Sequence, residues 1–181
     1  IPLAPAFDGS GDPQYAVTIR GVFPRFSYRA LDARFMGLDG GAVLGQRAPV
    51  GVRVQGAVVR GMNRESGDAL LYLPGDSATL GMLGALPDVG GWSGTRMELS
   101  TTWVAQQRPE SPDDLAPPPP GYSLLNASVR GQLALRQGRV MSLSIFGGNL
   151  MNVRYRDATS LLRYTADEAG REFRLRLGLD F

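Results

Sequence analysis

The sequence predicts an all-β protein, an antiparallel up-and-down transmembrane β-barrel of about eight long strands joined as consecutive hairpins. The first observation is that apolar and polar residues alternate with a period of two over long stretches. The second is that these stretches run for about 9 to 12 residues, longer than most globular strands and close to what a tilted membrane strand needs. The third is that short connections alternate with long ones, as in a barrel whose long loops gather at one end.

The strongest alternation lies in the second half of the chain. In 172–181 every second residue is apolar, and Arg174 and Arg176 take intervening places. Similar alternation predicts strands at 96–106, 125–136 and 141–147. Weaker alternation predicts four earlier strands, at 14–20, 27–42, 50–62 and 77–86.

Connections of two lengths join the predicted strands. The short ones are 43–49, 87–92 and 137–138, and the long ones are 63–76, 108–120 and 151–169. Residues 111–120 end in a run of prolines and would also suit a stiff interdomain linker. We interpret them as an external loop, because strands of similar length and pattern flank them on both sides.

The two faces of the predicted strands differ in charge, which bears on the choice between a barrel and a soluble β-sandwich. A charge in the middle of a bilayer costs a few kcal/mol. We therefore expect the apolar residues at odd positions of 97–105, 125–135 and 173–181 to face lipid. The arginines of the opposite face are expected to face the lumen, namely Arg130, Arg136, Arg174 and Arg176. A sandwich would instead bury Leu133, Leu175 and Leu177 together in a dry core.

Composition excludes several classes of function. The chain has no cysteine and no histidine, which removes disulfides, thiolate metal sites and Ser-His-Asp catalysis. All 19 basic residues are arginine, and they are interleaved with acids rather than gathered in a stripe for nucleic acid. We expect no enzyme, no catalytic residue, no metal site, no cofactor and no nucleic-acid partner.

Four short segments, taken in order, resemble TonB-dependent outer-membrane receptors. Residues 32–39 (DARFMGLD) resemble the family's DA-x-F-x-G-x-E strand, and 121–127 (GYSLLNA) resemble the start of a late strand. Residues 149–157 (NLMNVRYRD) are similar to its NL-x-N/D-x-x-Y stretch. The end of the chain from 169 resembles its PGR-N-x-x-L ending, with Ala169 in place of proline and Glu172 where asparagine is common.

The resemblance implies a function and a place in the cell. Residues 1–181 would be the C-terminal part of a larger barrel in the outer membrane of a Gram-negative bacterium, without its plug domain. The whole receptor would take up a ferric siderophore or a similar scarce nutrient, energised by the TonB complex through the plug. The alternating last strand is similar to the signal read by the outer-membrane assembly machinery, carried here by Phe173, Leu175, Leu177, Leu179 and Phe181.

The last long loop carries the predicted ligand residues, Arg154, Arg156, Arg163 and Tyr164. They would hold an anionic siderophore-like chelate by charge-assisted hydrogen bonds. Alternatively they form a solvated loop surface and pair with Asp167 and Glu168.

Two other functions stay open at this stage. One is a self-contained small outer-membrane barrel with a structural or adhesive role, whose first strand would pair with its last. The other is a soluble all-β binding module or sugar-processing enzyme that uses the acidic pairs at 113–114 and 167–168. The larger barrel instead predicts that 15–20 does not pair with 172–181.

Overall fold

The computed structural model describes residues 3–28, 30–45 and 48–180. Four short strands come first, and seven long ones follow. The short strands are β1 Leu3–Pro5, β2 Tyr15–Thr18, β3 Gly21–Pro24 and β4 Phe26–Tyr28. The long strands are β5 Ala33–Leu44, β6 Val50–Asn63, β7 Ser77–Ala85, β8 Trp92–Val104, β9 Tyr122–Ala134, β10 Val140–Gly148 and β11 Glu172–Asp180.

Strands β5 to β11 form one antiparallel sheet whose order in space is their order along the chain. The prediction of an all-β, antiparallel, up-and-down sheet is therefore confirmed. The long strands have 9 to 14 residues each, as the alternation indicated. One 3-10 turn, Arg136–Gly138, joins β9 to β10. Among the described residues, no helix has the length and apolar character needed to cross a membrane.

The prediction of about eight long strands was wrong for 14–20 and for the start of the strand at 27–42. Residues 15–18 pair with 21–24 as a small hairpin, and 26–28 pair with 3–5, so neither segment joins the large sheet. The reason is the turn at Gly21, whose φ of 130° reverses the chain directly after β2. The strand predicted at 27–42 is correspondingly displaced to Ala33–Leu44. Arg136 also lies in a turn and not on the polar face of the sheet.

The pairing register sorts the side chains of the large sheet onto an apolar and a polar face. Residues directly opposite each other in an antiparallel ladder share a face. One row crosses all seven strands without a polar side chain: Leu44, Val52, Met82, Leu99, Ala127, Gly147 and Phe173. A second row does the same from β6 to β11: Val50, Gly84, Met97, Val129, Ile145 and Leu175. The predicted separation of the two faces is thus confirmed for β8 to β11.

The apolar face is not covered by any layer of the described chain. Leu175 and Leu177 remain 65% and 61% exposed. The arginines on this face are Arg34 and Arg60, near the long-loop end of β5 and β6. Within the described residues, the dry core that a β-sandwich requires is therefore not formed.

The large sheet is open. Its edges are β5 and β11, which lie at opposite ends of the strand order and do not pair with each other. Residues 15–18, which pair with β3, form no ladder with β11 in the described part of the chain. We expected residues 15–20 not to pair with 172–181, and this is confirmed for the described residues. The strands of this chain alone do not close a barrel.

Side-chain packing is concentrated at one end of the sheet. Three long connections meet there, at 64–76, 105–121 and 149–171, and we refer to this region as the long-loop end. Buried side chains lie in these connections, among them Ala69, Leu70, Gln107, Ser111, Asn149 and Arg163. Gln107 donates a hydrogen bond to the carbonyl of Leu70 at 3.0 Å and so ties the first loop to the second.

Candidate functional site

Asn149 follows β10 and starts the last long loop. Its φ of 46° lies in the left-handed region, which asparagine tolerates better than most residues. The side-chain amide donates to the carbonyl of Val153 and accepts from the N–H of the same residue, both at 2.9 Å. Asn126 on β9 accepts the N–H of Asn149 at 3.0 Å. Asn149 thus bonds backbone where the strand leaves the sheet, as asparagine commonly does at such turns.

Asn152 closes the same loop against its far end. It also has a positive φ, 53°, and its side-chain oxygen accepts the N–H of Arg171 at 3.0 Å. A Cβ on Gly170 would lie 2.7 Å from that oxygen. Glycine is needed at position 170 because the side chain of a larger residue would displace Asn152.

The tyrosines of two motif segments pack on each other. Tyr122, at the start of β9, lies 4.3 Å from Tyr155 between ring centroids. The Tyr122 hydroxyl donates to Asp157 at 2.8 Å. Burial acts to raise the pKa of Asp157, but hydrogen bonds from Thr159 and from Tyr122 prevail and lower it below its ordinary 3.8. The segments at 121–127 and 149–157 that carry the family resemblance thus meet in one contact.

A buried ion pair joins the three long loops. The Arg163 guanidinium donates to Asp114 at 2.5 Å, and the two side chains are only 1% and 5% exposed. The Tyr164 hydroxyl donates to the other oxygen of Asp114 at 2.6 Å. Arg163 also lies 4.6 Å from the ring centroid of Tyr72, which comes from the first long loop. We call Tyr72, Asp114, Arg163 and Tyr164 the loop cluster.

Strand β4 near the N-terminus touches the same cluster. Phe26 of β4 stacks on Tyr164 with 6.4 Å between ring centroids. Strand β4, which overlaps only the first residues of the strand predicted at 27–42, therefore lies with the long loops.

Tyr164 should titrate well above a free tyrosine. Burial raises the pKa of its hydroxyl above the ordinary 10.0, and the hydrogen bond to Asp114 raises it further. Because the folded protein holds this proton more tightly than the unfolded chain, the contribution of Tyr164 to stability is complete below about pH 10. It is lost as the pH rises through the folded-state pKa. The measurement is the absorbance titration of tyrosinate, taken as the difference between wild type and Tyr164→Phe. A difference curve with its midpoint at or below pH 10 would contradict this expectation.

The four predicted ligand residues line one cleft at the long-loop end. The cleft has a volume of about 770 Å³, within the range of small-molecule sites. Its other walls are the N-terminal hairpin, the tyrosine pair and the proline run, represented by Tyr15, Val22, Pro117–Pro120, Tyr122 and Tyr155.

The four residues differ in what already engages them. Arg163 and Tyr164 belong to the loop cluster, and Arg156 is paired with Asp167 at 2.8 Å. Arg154 is exposed and forms no hydrogen bond or ion pair with the described part of the chain. Of the four, Arg154 is thus the group most available to a ligand, and the Arg156–Asp167 pair matches the alternative of a self-paired loop surface.

Several residues of this region had no signal of their own in the sequence. Asp114 stands in a polar run beside Asp113, and nothing local distinguishes the buried carboxylate from the exposed one. Nothing in the sequence around Tyr72 indicated that it would take part in the loop cluster either. Tyr122 and Tyr155 belonged to segments that carry the family resemblance, but only the structure shows that they are in contact.

The predicted assembly residues form the apolar side of the edge strand β11. Phe173, Leu175, Leu177 and Leu179 are all exposed. Phe181 lies outside the described residues. These side chains form a regular ladder of apolar groups next to an unpaired strand edge, which a partner that adds a strand would meet first.

Comparison with known proteins gives no family for this chain: no family model matches it, and no curated protein or solved structure is significantly similar to it. No group of three or more acidic side chains among the described residues is placed to hold a metal ion.

Proposed function

We propose that this chain forms part of the wall of a β-barrel in the bacterial outer membrane. The observation that carries the proposal is the exposed apolar face of the seven-stranded sheet, which is free of charge from β8 to β11. A soluble protein would have to cover such a face, because contiguous exposed apolar patches larger than a few hundred Å² are rare on soluble monomers. Lipid tails are the partner that needs no further layer of protein.

The dimensions of the face support a bilayer as its surroundings. On β9 the apolar face runs from Leu125 to Leu133, a stretch of nine residues, and a tilted transmembrane strand needs about 9 to 11. The lipid-facing band of outer-membrane barrels is about 25 Å tall and is flanked by aromatic residues. Trp103 and Phe173 lie at the long-loop end of the face, and Trp92 lies at the other end.

The opposite face has the character of a wet lumen. Arg53 and Glu98 form an ion pair at 2.8 Å across β6 and β8. The hydroxyls of Thr79 and Thr102 are 2.9 Å apart on neighbouring strands. Such groups are costly in hydrocarbon and ordinary beside water.

The open sheet favours a larger barrel over a self-contained small one. The free edges of β5 and β11 expose backbone N–H and C=O groups, and each such group costs several kcal/mol in lipid. Further strands must cover both edges. A small closed barrel would need β5 and β11, or a strand at 15–20, to complete the ladder, and the pairing observed offers no support for this.

We further propose that the whole protein is an active-transport receptor of the TonB-dependent kind. The support is the resemblance of the motif segments, two of which make contact at the long-loop end, together with the arginine-lined cleft beside them. The cargo would be a ferric siderophore or a similar anionic chelate. The TonB complex would supply energy through a plug domain, and the assembly machinery would read the last strand.

Cell fractionation and uptake test this proposal together. The natural protein should sediment with the outer membrane and resist extraction by alkaline carbonate. Deleting its gene should abolish energised uptake of at least one ferric siderophore under iron limitation, and deleting TonB should do the same. Recovery in the soluble fraction would refute the barrel. An outer-membrane location with unchanged uptake and reduced adhesion would support the structural or adhesive alternative.

Arg154→Gln should weaken binding of that cargo by about tenfold, the loss that one charge-assisted hydrogen bond produces. Arg20→Gln, which removes an exposed arginine from the turn of the N-terminal hairpin, is the matched control and should bind normally. The measurement is uptake of labelled ferric siderophore against concentration. An unchanged half-saturation concentration in Arg154→Gln would remove this residue from the site.

In the sugar-processing alternative, one acid of each pair is already engaged by other side chains. Asp114 is held by Arg163 and Tyr164, and Asp167 is held by Arg156. A general acid or nucleophile needs a carboxyl group free to meet substrate.

A further inference from the structure

Three arginines lie side by side on the polar face of the sheet, toward the end away from the long loops. Arg96 on β8 is directly opposite Arg130 on β9. Arg130 is opposite Ser144 on β10, and Ser144 is opposite Arg176 on β11. We call Arg96, Arg130 and Arg176 the arginine row. With strands about 4.8 Å apart, the three backbone positions span roughly 15 Å.

None of the three guanidinium groups has a partner in the described part of the chain. The nearest acids of the same face are already engaged, since Glu98 pairs with Arg53 and Glu172 pairs with Arg174. Asp180 is four residues beyond Arg176 on β11, about 13 Å along the strand and out of reach of the row. Like charges directly opposite each other in a ladder are destabilising. The sheet therefore keeps an unfavourable arrangement that a bound anion would relieve.

The arginine row lines a single open cavity together with other hydrogen-bond donors. The cavity has a volume of about 440 Å³, and its walls include the hydroxyls of Ser142 and Ser144 and the amide of Gln132. Gly178 leaves room for the Ser142 hydroxyl, because a Cβ there would approach it to 2.5 Å. Guanidinium and hydroxyl groups are the donors that phosphate and carboxylate oxygens accept best.

We propose that this cavity is a binding site for a multiply charged oxyanion, a phosphate ester or a polycarboxylate. The row is wide enough for an anion with two charged groups, one held between Arg96 and Arg130 and the other reaching Arg176. The short serine hydroxyls at the floor favour a small anion that enters the cavity over an acidic protein segment lying across its rim. The site is separate from the cleft at the long-loop end and does not depend on the transport proposal.

Calorimetric titration of the natural protein with inorganic pyrophosphate and with citrate, at fixed ionic strength, tests the site. We expect saturable binding of at least one of them, and the stronger one identifies the class. Arg130→Gln should weaken it about tenfold or more, because Arg130 and Arg96 together hold the first charged group. Arg20→Gln should leave it unchanged. Absence of saturable binding would overturn the proposal, and so would equal weakening by Arg20→Gln, which would indicate a diffuse effect of charge.

Thermal unfolding at low ionic strength is an independent test of the anion site. Without anion, Arg130→Gln should unfold at a higher temperature than wild type, because it removes the repulsion opposite Arg96. With anion, wild type should gain stability and Arg130→Gln should gain little, so the order should reverse. Arg96→Gln should behave in the same way. A lower unfolding temperature for both variants without anion would show that the row is already neutralised and would refute the proposal.

Discussion

Leu99→Arg should destabilise the folded protein by about 2 to 4 kcal/mol, the cost of an arginine on the lipid face of a barrel near mid-bilayer. Leu99 stands in the middle of the row that crosses all seven strands, between Met82 and Ala127. The proposed bilayer offers this position no water, and β8 has no charge on that face to pair with the new one. The measurement is urea unfolding of the natural protein after refolding into lipid vesicles.

Ser100→Arg is the matched control, one residue along the same strand and on the polar face. Ser100 is opposite Gly81 and Asn126, so an arginine there has space and polar neighbours. We expect little loss of stability. Equal and small effects of the two substitutions would mean that both faces meet water, and the membrane proposal would fail. Equal and large effects would mean that both faces are buried in protein.

Asp114→Ala should cost about 3 to 5 kcal/mol of local stability at the long-loop end, because it leaves the buried Arg163 cation without its counterion. Tyr164 would lose its acceptor at the same time. The loops should open while the sheet persists, since the cluster joins connections and not strands. The measurement is the rate of protease cleavage within 105–121 and 149–171, combined with hydrogen exchange in β8 to β10.

Asp113→Ala removes the neighbouring exposed carboxylate and should change neither rate. A double replacement, Asp114→Leu with Arg163→Met, separates charge from packing. Buried ion pairs replaced by apolar residues of similar size often lose little stability. We therefore expect the double variant to recover much of what Asp114→Ala loses. Rapid cleavage that persists in the double variant would show that the cluster acts through its specific hydrogen bonds with Ala158 and Tyr164.

The sequence by itself determined the all-β class, the strand-loop alternation and the face of the residues at 97–103, 125–133 and 173–179. The physical reason is local: successive side chains of an extended chain point to opposite sides, so alternation in composition becomes separation of faces without reference to any partner. The turn role of Asn149 was also readable, because a short amide side chain tolerates a left-handed backbone and bonds it within four residues.

Alternation could not predict whether residues 15–28 join the large sheet, because a short hairpin and a barrel strand show the same period of two. What decides between them is the competition between pairing across Gly21 and pairing with the sheet, and that comparison involves residues far away in sequence. Only the tertiary structure brings Asp114 and Arg163 together from positions 49 residues apart and buries them. The arginine row likewise follows from the register of four strands, which depends on every pair in the ladder and not on any one segment.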